Sequence, residues 1–164
     1  MEIEQFRKDH QTAVLSSLQI KGVNFAWFEP DYAYRTTATF HATRKEKVTV
    51  ASSNSQILEL AQWGFVQLRM NFTDFALFLY AKWDDENPTV LSAPFRDLTN
   101  GRSTYRGGRN LLVPVKDGVA HVDFNHATNL MCAYGPQFHC ALPPEKNTFA
   151  CEISAGERLP QKII

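Results

Sequence analysis

Between residues 65 and 83 the chain alternates by twos, and this stretch limits the fold more than any other. Val66, Leu68, Met70 and Phe72 project to one side, and Gln67, Arg69 and Asn71 to the other, the pattern of a half-buried strand. Thr73-Asp74 supplies a tight turn, and residues 75–81 are then apolar at every position, as in a central strand covered on both faces. Residues 65–83 therefore read as a β-hairpin. Residues 32–41 repeat the period, with Tyr32, Tyr34, Thr36, Ala38 and Phe40 on one face and Arg35, Thr37, Thr39 and His41 on the other. Shorter β segments follow at 48–51, 57–60, 90–91, 111–115, 119–124 and 149–153, with Lys116-Asp117-Gly118 as a hairpin turn. Asp84 to Pro88 is an exposed turn, and Pro143-Pro144 an extended stretch outside any ladder.

Helical periodicity is confined to residues 2–18. There Ile3, Phe6, His10, Ala13, Val14 and Leu18 form one stripe, and Lys21-Gly22 ends it. Strands succeed one another without strand–helix alternation, and no repeat or long linker divides the chain. The expectation is a mainly β, antiparallel barrel or sandwich-like domain with an N-terminal amphipathic helix. It comprises one domain over residues 1–164, with the helix at 2–18 and the β part at 32–156. At 164 residues and 44% hydrophobic content, such a chain can bury a sizeable core.

Composition narrows the function classes. Seventeen basic residues balance seventeen acidic ones, which argues against a nucleic-acid or acidic-membrane binder. Three cysteines are too few for a disulfide scaffold, and no apolar run reaches the roughly 18 residues of a membrane span. The opening residues lack a signal-peptide pattern, so a soluble cytoplasmic protein is expected. A homo-oligomer is compatible with all of this.

Three segments carry polar chemistry. Residues 94–109 hold Arg96, Arg102, Arg106 and Arg109 beside Gly101, Gly107 and Gly108, with Asp97 alone opposing them. Arg offers a planar fork to phosphate or carboxylate, and glycine lets a backbone approach an anion. The same residues also suit surface turns with Arg96 and Asp97 in structural ion pairs. Residues 122–134 place Asp123, Asn125, His126 and Asn129 where a strand enters a loop, as ligand groups or as Asx-type loop braces. Residues 135–144 add His139 and Cys140, so that His126, Cys132, His139 and Cys140 fall within fifteen residues. Their spacing matches no standard zinc finger or ribbon, and cysteines that simply pack, or pair in an oxidising setting, are the expected state, with Cys151 in the core.

These segments resemble the bacterial and archaeal domain of unknown function 1684. The resemblance rests on the string from Pro94 to Arg109, on Asp123-Phe124-Asn125, Asn129, Cys132, Tyr134, Cys140 and Leu142-Pro143-Pro144. Gly22, Phe25, Pro30 and Tyr34-Arg35 are similar to the family's approach to its first strand. It implies a compact, soluble β domain with its polar motif residues in the second half. Departures are Arg106 for a Gly, Leu130 for a Pro and Lys146 for a Glu, the last removing a carboxylate.

Three functions are in view, with any cofactor undetermined. The first is binding of a small anionic molecule in a pocket lined by Arg96, Tyr105, Arg109, Asp123 and Asn125. The second is a hydrolase with Asp97 or Asp123 as general base and Arg or Asn stabilisation of developing charge. The third is a structural or interaction module held by Cys132 and Cys140, through a bridge or a metal.

Overall fold

The computed structural model describes residues 2–18 and 22–162. Helix α1 (Ile3–Leu18) matches the apolar stripe, burying Ile3 and Val14; the expected stop at Lys21-Gly22 lies partly outside the described residues. The strands are β1 (Val23–Asn24), β2 (Arg35–Thr39), β3 (His41–Ala51), β4 (Ile57–Met70), β5 (Thr73–Ala81), β6 (Val90–Phe95), β7 (Arg109–Lys116), β8 (Val119–Asp123), β9 (Thr128–Asn129) and β10 (Gln161–Lys162). They pair antiparallel in the order β2-β8-β7-β6-β5-β4-β3, with β9 also on β7, and β1 pairs separately with β10.

The two outermost strands of the large sheet, β2 and β3, are consecutive in the chain, separated by Phe40 alone. One continuous run therefore pairs with β8 at its start and with β4 at its end, which requires the sheet to curl into a half-barrel. Its concave side holds the core, where Val66, Leu77, Leu79, Leu111, Val113 and Phe124 are fully buried.

Elsewhere the chain corrects the sequence expectations. The hairpin turn is Asn71-Phe72, not Thr73-Asp74: both have positive φ (48° and 62°), the mirror-image turn that matches strand twist, and Phe72 is left at the exposed tip. Residues 32–34 form a 3-10 turn capped by Asp31, so strand starts only at Arg35. Segments 48–51 and 57–60 belong to the long strands β3 and β4.

The largest difference is at 149–153, which is not a strand of either sheet. Phe149, Cys151, Ile153 and Ala155 are buried while 150 and 152 are exposed, so the period of two is real. Burial alternation and ladder membership are separate properties, and only the first is written in side-chain hydrophobicity. The backbone groups of this segment are satisfied by other means, described next.

Candidate functional site

The polar residues of 94–109 act mainly inward. Arg109 opens β7 with its side chain fully buried on the core side. Its guanidinium donates to the carbonyls of Ala155 and Ile153 (2.8 Å for the latter), reaches Asp97 Oδ2 at 3.2 Å, and lies 5.0 Å from the Phe95 ring centre. Asp97 is buried as well: Oδ2 accepts from the Ile153 amide at 2.6 Å and Oδ1 from the Thr99 hydroxyl at 2.6 Å. The pair thus replaces a strand partner for residues 153–155. Burial pushes the Arg109 guanidinium down to about 10, with Asp97 and Glu157 pulling the other way, so it remains charged at neutral pH.

Asparagines do similar work. Strands β5 and β6 share only the Tyr80–Ser92 pair, and Asn147 fills the split: its side chain accepts from Phe78 N–H and donates to the Phe78 and Pro94 carbonyls. Asn125 holds Asp31 through both its amide and its carbonyl, and Asn129 donates to the Arg158 carbonyl. Gly108, at φ +107°, is where the backbone closes on itself. A Cβ there would lie 2.6 Å from Pro143 and 2.8 Å from the Phe95 carbonyl, so the close approach is to protein.

A cavity of about 900 Å3 lies on the opposite, convex side of the sheet, between α1 and strands β6, β7, β8 and β2. Period two explains its floor. Leu111 and Val113 of β7 face the core, so Asn110, Leu112 and Pro114 face outward, as do His121 and Asp123 of β8 and Arg35 and Thr37 of β2. Helix α1 supplies Phe6 and His10 as one wall. The floor is apolar at Val90, Leu112 and Pro114, and polar where β2 meets β8.

At that polar end, Arg35 Nε donates to Asp123 Oδ2 at 2.7 Å, and the guanidinium lies 4.8 Å from the Tyr32 ring centre. The hydrogen bond to Asp123 raises the Arg35 guanidinium above its ordinary value. His126 stacks 4.3 Å from Phe6, with its buried Nε2 4.0 Å from Asp123 and without a hydrogen-bond partner among the described residues. Burial lowers its pKa from the ordinary imidazole value, with Asp123 pulling the other way. On the wall, His10 Nε2 donates to Glu157 Oε2 at 3.1 Å, which also accepts from the Asn129 amide. Because a carboxylate only accepts, that bond fixes which nitrogen of His10 carries the proton.

Of the five residues expected to share a pocket, only Asp123 lines this cavity. Arg109 and Asn125 are buried in backbone contacts, Arg96 exchanges backbone bonds with Asn147 and Phe149, and the Tyr105 hydroxyl points to Cys132 Sγ at 3.5 Å. Of the two carboxylates considered as general bases, Asp97 is sealed from substrate while Asp123 reaches the cavity. Cys132 and Cys140 are neighbours, but His126 faces the cavity and His139 is exposed, so the four considered for metal do not converge. Among the described residues no three His, Cys, Asp or Glu side chains do.

Sequence reasoning missed Arg35, His10, His121 and Glu157. His10 was visible as the one polar member of an apolar helical stripe, and Arg35 and Asp123 as facing positions of β2 and β8 once their register is known.

The model of a family described as "Protein of unknown function (DUF1684)" matches residues 21–158. The chain belongs to the DUF1684 family. The match covers Asp97, Arg109, Asn125, Asn129 and Asn147 and the strands that floor the cavity, but not α1. An uncharacterized protein from Haloarcula marismortui, solved by solution NMR, has the same fold, with a TM-score of 0.67 at 26% identity over 94% of this chain and 97% of that one. No curated protein matches. No helix among the described residues is long and apolar enough to cross a membrane.

Proposed function

We propose that this DUF1684 protein binds a small molecule with an acidic group on an apolar body, held between α1 and the convex face of the sheet. The observation that carries this reading is the cavity itself. At about 900 Å3 it falls in the size range of small-molecule sites, with an exposed apolar floor at Val90 and Leu112 leading to Arg35. Arg35 uses Nε for Asp123, and its two terminal nitrogens have no hydrogen-bond partner among the described residues. They form one edge of a fork suited to a carboxylate or phosphate. Asp123 orients that fork, and Glu2 is a second carboxylate on the cavity lining. His121 adds a second donor on the same face.

The reading is tested by titrating the protein with medium-chain and aromatic carboxylates, and with their amides and alcohols, followed by amide chemical shifts. Acids should shift resonances of Arg35, Leu112 and His121, and bind at least tenfold tighter than their neutral counterparts. Equal binding of the neutral compounds would remove the acidic group from the proposal. Shifts confined to residues 96–109 would move the site back to the arginine-rich loop.

A further inference from the structure

A second reactive place lies away from the cavity, where the 3-10 turn Met131–Ala133 meets the segment 138–142. Cys140 Sγ accepts the Cys132 amide at 3.2 Å, so the two side chains are immediate neighbours although eight residues apart. Both are free thiols and half-buried, whereas Cys151 is in the core. The backbone on the Cys140 side is tied down. Ser53 N–H donates to the Cys140 carbonyl, the Cys140 amide donates to the Ser53 hydroxyl, and Leu142 N–H donates to the Ala51 carbonyl. On the other side, the Tyr105 hydroxyl donates to Cys132 Sγ. Its ring packs over Gly107, where a Cβ would lie 2.4 Å from it.

We propose that Cys132 and Cys140 are a dithiol site that closes to a disulfide when a small-molecule disulfide oxidises it, with Cys132 attacking first. The Cys132 thiolate, stabilised by the Tyr105 hydroxyl, attacks one sulfur of the oxidant and releases one thiol. Cys140 then gives up its proton and attacks Cys132 Sγ, releasing the second thiol. Two protein thiols are oxidised and one small disulfide is reduced to two thiols. The order follows from surroundings. The Tyr105 hydroxyl donates to Cys132 Sγ and favours charge developing there, while burial pushes the Cys140 thiol up to about 11 and makes it the poorer first attacker. The bridge would join the 131–133 turn to the segment docked on the end of β3 and the turn that follows it. This site does not depend on the cavity.

The test uses oxidised glutathione on the intact folded protein, read by mass spectrometry with peptide mapping. The wild type should lose two hydrogens and yield a peptide joined at Cys132 and Cys140, with Cys151 still a thiol. Cys140→Ser should stop at one glutathione on Cys132, and Cys132→Ser should take up glutathione at least tenfold more slowly. Stable glutathione on both cysteines of the wild type, no reaction, or a bridge through Cys151 would each overturn the proposal. Equal rates in the two Ser variants would overturn the assigned order. If either variant fails to fold, mapping of the wild type alone decides whether the pair closes.

Discussion

Two arginine–aspartate pairs sit on opposite sides of one sheet, and their surroundings give the same chemistry different uses. Asp97–Arg109 faces the core with both side chains fully buried, while in Arg35–Asp123 the arginine side chain keeps 42% of its exposure. The inner pair turns most of its hydrogen-bonding capacity onto the backbone of residues 153–155, and its one spare donor, Arg109 Nε, is buried out of reach of a ligand. The outer pair uses one nitrogen and leaves the rest of the fork facing a cavity. A buried pair is also the harder one to break. Removing one partner strands the other charge in a medium that cannot solvate it, whereas water and salt cover the loss at the surface.

The largest expected effect is therefore on the inner side. Arg109→Met should cost about 3–5 kcal/mol of unfolding free energy, because Asp97 and two carbonyls lose their donors. Asp97→Asn should cost less than Arg109→Met, since an amide keeps an oxygen for the Ile153 amide. Denaturant unfolding of the two variants measures both. Next comes Gly108→Ala, for which strain at positive φ and the contacts with Pro143 and Phe95 predict a loss of about 1–3 kcal/mol. On the outer side, Arg35→Ala should change stability by no more than about 1 kcal/mol while reducing acid binding at least tenfold. If Arg35→Ala destabilises as much as Arg109→Met, the contrast between the two pairs fails.

A further effect concerns pH. Cys140 is raised from 9.0 to about 11, so the folded chain holds its proton after the unfolded chain has lost it. The unfolded state then binds fewer protons, and stability must fall as pH rises from about 9 to 11. Tyr80 and Tyr105, both raised to about 12, add to the fall at higher pH. The change with pH of the difference between wild type and Cys140→Ser isolates the thiol: it should be large across pH 9–11 and flat around pH 7.

Much of the fold was legible because side-chain periodicity is a local property. The stripe of α1, the alternation of β4 and the Asp117-Gly118 turn with φ of 52° and 75° all lie where the residues indicate. Strand at 149–153 was expected because Phe149, Cys151 and Ile153 alternate with exposed residues. Nothing local reports that this segment bonds first to the backbone of residues 96–98 and then, at 153–155, to the buried side chains of Asp97 and Arg109 instead of joining a ladder. The candidate site was less legible for the same reason. Arginines close to glycines look alike whether they face inward or outward, and the face is decided by the register of β7 against β6 and β8. The cavity draws on α1, β2, β6, β7 and β8, which lie far apart in sequence. Asp123 and His126 alone were legible there, as polar residues where a strand enters a loop.

The contrast between the two arginines can be read directly in one experiment, an arginine side-chain nitrogen–proton spectrum recorded with and without a bound medium-chain carboxylate. The Arg109 guanidinium protons should exchange slowly with solvent and stay unshifted by the acid, while the terminal N–H protons of Arg35 exchange fast when free and shift as the acid binds. Rapid exchange at Arg109, or an acid-induced shift there with Arg35 unmoved, would contradict the account.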